Sequence, residues 1–360
     1  MNRKLNFYAG PSVIPVEVFE TIQEELLDYQ GSGLSLMETS HRSKDFDEVH
    51  NATISLIKES MGIPDNYKVL FLGGGATMQF SMVPMNFLHG GKSCDFTLTG
   101  TWSRKAYVDA VKVGKVNVIY DGADTDYTSL PDAASLNVTP EASYLHITSN
   151  ETIGGIQWKD WPTTSVPIVC DMSSDILSRP VPIEKFGLIY AGAQKNLGPS
   201  GVAVVIIRDD MLEQCSDSLT AYMNYNTHAA KNSLYNTPPV FPIYAMKLVL
   251  ERMKGLGGLQ AMAELNKKKS SLLYNAIDKS DGYYHSPVDQ NFRSDMNVVF
   301  RLSNNKLEQK FIEEAALQGM VGLKGHRSVG GCRASIYNSM TYEGVKELVD
   351  FMNDFSQRNH

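Results

Sequence analysis

The amino-acid sequence predicts an α/β fold, with a large domain built on a mostly parallel seven-stranded sheet and a small α+β domain at the carboxyl end. Two observations lead to the large domain: short apolar runs recur between residues 68 and 209, and stretches with helical spacing separate several of them. Near-continuous apolar runs suit strands covered on both faces, and alternation of strand and helix favours parallel pairing. The third observation is that the short apolar runs give way to longer stretches with helical spacing after residue 240.

The strands of the large domain can be assigned one by one from these runs. They are KVLFL (68–72), SCDFTLTG (93–100), KVNVIYD (115–121), SYLHITSN (143–150), PIVCD (167–171), LIYAGAQK (188–195) and GVAVVIIRD (201–209). Helices are predicted between some of them, at 78–88 and 102–113. Only about five residues separate the last two runs, which is too few for a crossover helix, so these two strands are predicted to pair antiparallel.

The small domain is predicted from the pattern after residue 240. A long or broken helix covers 242–278, and the GLGG at 255–258 is a plausible kink and domain boundary. A strand (296–302), a helix (307–320), a strand (332–338) and a final helix (342–355) follow. We therefore predict a large domain over 16–258 and a small domain that combines 1–15 with 259–360.

Composition narrows the class of protein. The chain has 360 residues and a net charge of -7, which argues weakly against nucleic acid as the main partner. The amino-terminal stretch MNRKLNFYAGPSVIP has no apolar leader region, and no run of about 18 apolar residues predicts a membrane span. The cysteines lie far apart without a CxxC pattern, so we expect no disulfides, no metal site and a reducing cytoplasm.

One lysine and one aspartate follow predicted strands. Lys195, in YAGAQKNLGPSG (190–201), stands between an apolar run and a turn rich in Gly and Pro. An isolated lysine there is more often a surface residue, and the alternative is an amine that bonds covalently to a carbonyl cofactor. Asp171 ends the strand at 167–171, at the edge where ligands bind in open α/β sheets. Such a carboxylate is usually a cap or turn residue, but it can also pair with a protonated ring nitrogen.

Three further features follow strand ends in the same way. The run LFLGGGATMQF (70–80) is a strand, three glycines and a helix start, which makes either a tight turn or a phosphate site. Trp102 is either a core anchor or a ring that stacks on a flat ligand. Thr152, in SNETIGG, offers a hydroxyl. One ligand with a phosphate, an aromatic ring, a ring nitrogen and an aldehyde uses the whole set, and pyridoxal 5′-phosphate (PLP) is that ligand.

The sequence also resembles a known family. The motifs GGGATMQF, TGTW, SNETIGG, CDMSSDILSRP, YAGAQKNLGPSG, YNTPP and KGHRSVGGCRASIYN, with NFYAGPSVIP and the segment at 37–46, are similar to those of the phosphoserine aminotransferases. That family belongs to the class-V aminotransferases, which are PLP enzymes with an aspartate-aminotransferase-like fold. The resemblance covers nearly the whole chain, and AGAQKNLGPSG with GHRSVGG is specific to this family among its relatives.

The resemblance implies roles for the cofactor-binding residues. Lys195 would carry PLP and later move the proton, Asp171 would pair with the pyridine nitrogen, and Trp102 would stack on the ring. Thr152 would approach the phenolic oxygen. The phosphate would be held by the backbone of Ala76 and Thr77, by Gln194, and by Asn236 and Thr237 of a second subunit. A homodimer with shared active sites is therefore implied.

The resemblance also implies a substrate with two anionic ends. Arg333 would clamp the α-carboxylate, a task suited to the forked guanidinium. His41 and Arg42, with His326 and Arg327 of the partner chain, would hold the distal phosphate or the γ-carboxylate of glutamate. The implied reaction moves the amino group of L-glutamate to 3-phosphooxypyruvate. It gives O-phospho-L-serine and 2-oxoglutarate, in serine biosynthesis.

The sequence departs from the family pattern at two places. The turn reads GGGAT, whereas some members have an arginine after the glycines that is aimed at the substrate phosphate. Position 9 is Ala, where some relatives have a serine near glutamate. The first departure leaves one cation fewer for phosphate selectivity, and the second is not expected to abolish activity.

The sequence is also compatible with other functions. A cysteine desulfurase would need a cysteine on a mobile loop, and Cys332 is the one cysteine near the expected site. A non-catalytic PLP-binding scaffold is a further alternative, which the combination of Lys195, Asp171 and substrate cations counts against. A side activity on a phosphorylated four-carbon hydroxy-keto acid, forming 4-phosphooxy-L-threonine on the path to pyridoxine, is also implied by the family.

Overall fold

The large sheet has seven strands in the described residues. The structure is a computed structural model that describes residues 3–359. The strands of the chain are β1 (Leu5–Asn6), β2 (Tyr67–Leu72), β3 (Ser93–Leu98), β4 (Lys115–Asp121), β5 (Leu145–Thr148), β6 (Asn150–Glu151), β7 (Ile156–Gln157), β8 (Ile168–Asp171), β9 (Phe186–Gly192), β10 (Ala203–Arg208), β11 (Asn297–Phe300), β12 (Met320–Val321) and β13 (Cys332–Ser335). The order in the large sheet is β2-β10-β9-β8-β5-β3-β4. This confirms the predicted α/β class.

The helices lie between and after these strands. They are α1 (Val16–Glu25), α2 (Lys44–Met61), α3 (Gly75–Phe87), α4 (Thr101–Val113), α5 (Asp209–Leu212), α6 (Tyr225–Ala230), α7 (Val240–Gly255), α8 (Gly258–Asp278), α9 (Asn305–Leu317) and α10 (Tyr342–Arg358). The predicted helix over 242–278 is broken at its glycines, since α7 ends and α8 begins within the GLGG stretch. Gly257 at that break has φ +101°, which a residue with a side chain rarely adopts.

The pairing directions follow the connections. β3, β4, β5, β8 and β9 pair parallel with their neighbours in that group, while β10 runs antiparallel to both β9 and β2. The predicted antiparallel pair at 188–209 is thus confirmed, because the short link between β9 and β10 leaves no room for a crossover. The carboxyl ends of β2, β3, β5, β8 and β9 consequently share one edge of the sheet.

Both faces of the sheet are covered by helices. Along β2, Val69 and Phe71 belong to a core that includes residues of α2 and α7, whereas Leu70 and Leu72 belong to a core that includes residues of α3 and α4. Successive strand residues point to opposite faces, so an uninterrupted apolar run supplies both cores. This explains why the strands read as apolar runs rather than as alternating patterns.

The carboxyl-terminal region has a separate apolar core. It gathers residues of α8, β11, α9, β13 and α10, and it includes Phe7 from the amino-terminal segment. β1 pairs in parallel with β12, and β11 pairs antiparallel with β13. The division into domains at residues 15 and 258 stays a prediction. Over residues 3–359, no helix combines the length and apolar character that crossing a membrane requires.

Candidate active site

A cavity of about 340 Å³ lies at the shared edge where the parallel strands end. Its walls come from segments far apart in sequence, because each strand delivers the first residues after its carboxyl end to the same edge. The lining residues are Ala9, Gly10, Gly75, Ala76, Thr77, Phe80, Trp102, Lys105, Thr152, Ile153, Asp171, Ser173, Gln194, Lys195, His326 and Arg333. The cavity therefore collects most of the residues that the sequence singled out.

Lys195 is half-buried in this cavity and follows β9 by three residues. Its Nζ donates a hydrogen bond to Thr152 Oγ1 at 2.6 Å and lies 5.2 Å from the centre of the Trp102 ring. Burial lowers the pKa of Lys195 to about 8. The amine therefore loses its proton far more readily than an exposed lysine does, and near neutral pH a fraction of it is a nucleophile.

The amino-terminal segment fixes the backbone around Lys195. Ser12 donates its backbone N–H to Gln194 O at 2.9 Å and its hydroxyl to Lys195 O. A Cβ on Gly10 would lie 3.3 Å from Lys195 Cγ, so the segment passes close against the lysine stem. Tyr337 donates its hydroxyl to Ala9 O at 2.6 Å and holds the segment from the other side.

Asp171 is the last residue of β8 and is buried at 5% exposure. Its Oδ1 accepts the backbone N–H of Ser173 at 2.9 Å. Burial raises the pKa of Asp171, while the nearby Lys195 ammonium acts in the opposite direction. A carboxylate in such a place is stabilised by any further cationic group that enters the cavity.

Trp102, at the start of α4, is held in place by the buried side chain of Glu151. Glu151 accepts the backbone N–H of Trp102 at 2.9 Å, and it accepts both the backbone N–H and the hydroxyl of Ser103 at 2.8 Å. A Cβ on Gly100 would come within 2.6 Å of the Glu151 carboxylate carbon, so a larger residue would displace it. The Trp102 Nε1 is buried and has no hydrogen-bond partner in the part of the chain that the structure describes. The indole thus stands as a wall of the cavity whose orientation is fixed through its backbone.

The start of α3 offers free backbone donors. Gly74, the residue before the helix, has φ +82°, and no side chain among residues 3–359 accepts a hydrogen bond from the first turn. A Cβ on Gly74 would lie 2.7 Å from Met78 Cβ, so both the dihedral angle and the space require glycine. Gly75, Ala76 and Thr77 then line the cavity. Unpaired N–H groups and the helix dipole make this end of α3 suited to a phosphate.

Arg333 lines the cavity and lies on β13. The side chain is 9% exposed, and Nη1 donates to Thr152 O at 3.3 Å. Its Nε is buried and finds no hydrogen-bond partner among the described residues, and burial lowers the pKa of the guanidinium. A buried guanidinium with unpaired donors is costly unless an anion meets it, so Arg333 is equipped to receive a carboxylate.

Several predicted residues lie outside this cavity. His41, Arg42, Asn236, Thr237 and Arg327 are not among its lining residues, and all except His41 are exposed. The sequence reading assigned His326 to the partner chain, whereas His326 lines the cavity of its own chain. Its Nδ1 accepts the backbone N–H of Ser328 at 3.2 Å, so the neutral ring carries its proton on Nε2.

Sequence reasoning missed some residues of the site. Lys105 lines the cavity three positions after Trp102, and this spacing on one helix face could have indicated it. Glu151 precedes Thr152 in the quoted SNETIGG motif, but nothing local shows that it reaches α4. Ser173 and Phe80 also line the cavity and carry no separate signal.

Comparisons with known proteins place these features in a family. The model of the class-V aminotransferases matches residues 4–348. The phosphoserine aminotransferase of Geobacillus kaustophilus is 52% identical over 358 residues, which cover 99% of each chain. The solved structure of the phosphoserine aminotransferase from Bacillus circulans subsp. alkalophilus superposes with a TM-score of 0.98 at 48% identity, over 99% of both chains.

A second solved structure is described with its cofactor. The PLP-bound phosphoserine aminotransferase from Trichomonas vaginalis superposes with a TM-score of 0.90 at 36% identity, covering 98% of this chain and 100% of that one. The fold that the resemblance implied is confirmed by these structures.

Proposed function

Since the chain belongs to the class-V aminotransferases and, within them, to the phosphoserine aminotransferase family, we propose that it transfers the amino group of L-glutamate to 3-phosphooxypyruvate. The products are O-phospho-L-serine and 2-oxoglutarate. Because the cavity contains one nucleophilic amine, that of Lys195, and one guanidinium for an α-carboxylate, that of Arg333, the two half-reactions use the same site in turn. The chain is an enzyme, and the identity of its substrates is the part that we propose.

The cofactor is PLP, and the cavity of this chain fits it. The start of α3 has donors without partners for a phosphate, the Trp102 ring forms a flat wall, and Asp171 is a buried carboxylate with one backbone donor. When bound, PLP supplies an electron sink for the electrons released at the substrate Cα. Gly75, Ala76, Thr77 and Gln194 would hold its phosphate from this chain.

The observation that carries the proposal is the Lys195 amine inside the cavity, 2.6 Å from Thr152 Oγ1 and with its pKa lowered to about 8. Such an amine can bond to a carbonyl carbon and, once released, can take the proton from the substrate Cα and return it. Thr152 orients the amine. Asp171 would favour a positive charge at the ring nitrogen of bound PLP, because a buried carboxylate favours a cation beside it.

Arg333 supplies the substrate clamp in this proposal. Its buried guanidinium, with Nε unpaired, receives the α-carboxylate of either amino acid. The distal phosphate or γ-carboxylate then points towards His326 at another part of the lining. A polar cavity of this kind penalises one more carbon and hydroxyl only slightly, so we include formation of 4-phosphooxy-L-threonine as a side activity.

A homodimer with shared sites is part of the same proposal. Asn236 and Thr237 are exposed and lie outside their own cavity, which supports their predicted role in the cavity of a partner chain. The sequence placed His41 and Arg42 in the site of their own chain, but they also lie outside its cavity, so we propose that they too act in the partner's cavity. The test is complementation between two inactive variants, Lys195→Ala and Arg42→Ala. Mixed dimers contain one site without either change, so activity is expected to return on mixing; its failure to return would argue for sites made by one chain.

The substrate proposal is tested by the visible spectrum of the purified holoenzyme. The absorption band of the lysine-bound cofactor is expected to bleach on titration with O-phospho-L-serine and to return on addition of 2-oxoglutarate. A band that phosphoserine leaves untouched would reject the substrates while keeping the cofactor. Reactivity with both compounds would also reject a non-catalytic scaffold.

The desulfurase alternative is disfavoured by Cys332. The thiol lies within β13 at 0% exposure, and burial raises its pKa. A nucleophilic cysteine needs access and an accessible thiolate, and this one has neither. All four cysteines are free and buried, which supports the cytoplasm as the proposed compartment.

A further inference from the structure

Lys105 is a cation of the cavity that has no role so far. It lies on α4 three residues after Trp102, is exposed, and lines the cavity together with His326 and Arg333. Its Nζ lies 4.5 Å from the centre of the Trp102 ring. The ammonium therefore lies over an aromatic face beside the site.

No carboxylate competes for this ammonium within residues 3–359. Asp109, one helical turn further on, pairs with Lys112 at 2.9 Å, and the neighbouring Arg104 pairs with Asp121 at 3.3 Å. The cations on this helix are thus divided: Arg104 and Lys112 are neutralised by the protein, and Lys105 is not. A positive charge at a cavity rim without a protein partner is available to a ligand.

The surroundings of Lys105 indicate which part of a ligand it meets. The charges of Arg333, Arg327 and Lys105 all act on His326 and, after burial, hold the pKa of its imidazole below the usual value. Lys105 and Arg333 therefore lie near His326 in the lining of the cavity, Arg327 lies near it outside the lining, and no carboxylate is among the charges that act on His326. Of the three lining groups, Arg333 is buried and donates to Thr152 O, which leaves the Lys105 ammonium and the His326 imidazole for the more distant end of a substrate.

We propose that Lys105 is a specificity-determining residue of the transamination site, where its ammonium, with the His326 imidazole, binds the distal dianionic phosphate of the substrate. This inference rests on the proposed function. The phosphate of the cofactor is the less suitable partner, because the free N–H groups of α3 already form a site for it. The backbone turn that starts α3 carries no cationic side chain, so Lys105 supplies a charge from the next helix instead.

The test compares Lys105→Met with Lys112→Met and Lys105→Arg. Lys112 is the matched control, since it lies on the same helix but is paired with Asp109. Binding to the holoenzyme is measured by calorimetry for 3-phosphoglycerate, which has no keto group to react, and for malate, which ends in a carboxylate instead of a phosphate. Because the site is partly open to water, Lys105→Met is expected to weaken 3-phosphoglycerate binding about 5- to 10-fold and malate binding about 2-fold.

The two controls sharpen this result. Lys105→Arg is expected to stay within about 3-fold of the wild type, and Lys112→Met is expected to bind both probes unchanged. The affinity of the wild type for 3-phosphoglycerate should also fall more steeply with ionic strength than the affinity of Lys105→Met, because salt screens the Lys105–phosphate ion pair that the variant lacks.

The opposite results are equally specific. Equal losses for both probes, or a loss of PLP affinity with 3-phosphoglycerate binding unchanged, would overturn the assignment of Lys105 to the substrate phosphate. Unchanged binding in Lys105→Met, with a wild type that reacts with O-phospho-L-serine, would overturn the role of Lys105 alone. A wild type that neither reacts with O-phospho-L-serine nor binds 3-phosphoglycerate would overturn the proposed function together with this inference.

Discussion

A half-buried lysine and a fully buried lysine, in different regions of the molecule, show how surroundings decide what an amine does. Lys195 lines the open cavity at the sheet edge, and Lys269 lies on α8 in the carboxyl-terminal region at 0% exposure. Burial lowers both pKa values, to about 8 for Lys195 and to about 7 for Lys269. Burial alone therefore does not distinguish a reactive lysine from a structural one.

The hydrogen-bond partners distinguish them. Lys269 Nζ donates to three backbone carbonyls, those of Ile336 at 3.0 Å, Tyr337 at 2.7 Å and Met340 at 3.0 Å. A neutral amine has only two N–H groups, so losing the proton would leave one buried carbonyl facing a lone pair. Lys195 has one hydroxyl as its hydrogen-bond partner and can lose its proton without leaving such an acceptor.

The largest expected effect is that of replacing Lys195, the lysine that lines the cavity. Lys195→Ala is expected to lower turnover by about a thousandfold or more, because the covalent amine and the proton carrier are both removed. The free energy of unfolding of the cofactor-free protein is not expected to fall, since burying the ammonium opposes folding. Single-turnover kinetics and urea unfolding measure the two quantities. Lys195→Arg, which keeps the charge but not a nucleophile, should be as inactive.

The outcome that would break the comparison is a Lys195→Ala protein that unfolds readily while its folded fraction still turns over. Lys195 would then be the structural lysine of the pair, and the catalytic amine would have to be sought elsewhere.

The second prediction concerns Lys269, the fully buried lysine. Lys269→Met is expected to lower the free energy of unfolding by about 3 kcal/mol, because three buried carbonyls lose their donor. Turnover of the folded enzyme is expected to stay within about threefold of the wild type, since Lys269 does not line the cavity. Urea unfolding checks the first value and steady-state kinetics the second. Lys268→Met, at an exposed neighbouring position, is the control and should change stability by less than about 0.5 kcal/mol.

A result in the other direction would also be informative. A Lys269→Met protein that keeps its stability but loses turnover would mean that Lys269 acts on the site through the segment after β13. That segment carries Tyr337, which donates to Ala9 O beside the cavity.

A buried carboxylate, that of Glu151, tests whether hydrogen-bond partners also determine the role of a buried group of opposite charge. Glu151 accepts three hydrogen bonds at 2.8 to 2.9 Å, which oppose the rise in its pKa that burial causes. Glu151→Gln leaves a single acceptor oxygen and turns an amide donor towards backbone donors, so we expect a loss of about 2 kcal/mol in the free energy of unfolding. PLP affinity should fall as Trp102 shifts. The exposed Glu141→Gln is the control, and an unchanged Glu151→Gln protein would mean that the ionised form is dispensable.

The strands and the reactive lysine could be predicted from the sequence for different reasons. β4 matches its predicted extent at 115–121, because a run rich in β-branched and aromatic residues between Gly114 and Gly122 is typical of a strand. Lys195 stood out because it follows such a run and because the motif around it resembles a known family. Both signals lie within a few consecutive residues.

Lys269 could not be predicted, because nothing near it in sequence marks it as buried. It ends the run NKKK, which has the composition of a solvated helix face, and its three acceptors lie 67 to 71 residues away. Glu151 is similar, since it meets α4 across a gap of 48 to 49 residues. The pairs β1–β12 and β6–β7 are two residues long per strand, which is too short for any periodicity to register. The features that could not be predicted are therefore those that depend on contacts between segments far apart in sequence.

The smallest expected effect is a pH dependence that separates the two influences on Lys269. Its pKa is lowered from 10.5 to about 7 on folding, so above pH 7 the unfolded chain binds more protons than the folded chain. Stability contributed by this group therefore rises with pH between about 7 and 10.5 and is lost as the pH falls towards 7. The three carbonyls retain the proton against this trend, and we expect a gain of about 1 kcal/mol from pH 7 to 9.

The measurement is the difference in unfolding free energy between the wild type and Lys269→Met at several pH values. Lys195 titrates in both proteins, so its contribution cancels in the difference. The destabilisation caused by Lys269→Met is expected to grow by about 1 kcal/mol as the pH rises from 7 to 9. A flat difference would mean that the carbonyls hold the proton throughout this range. Lys269 would then be a permanent cation, and the contrast with Lys195, which must release its proton to act, would be complete.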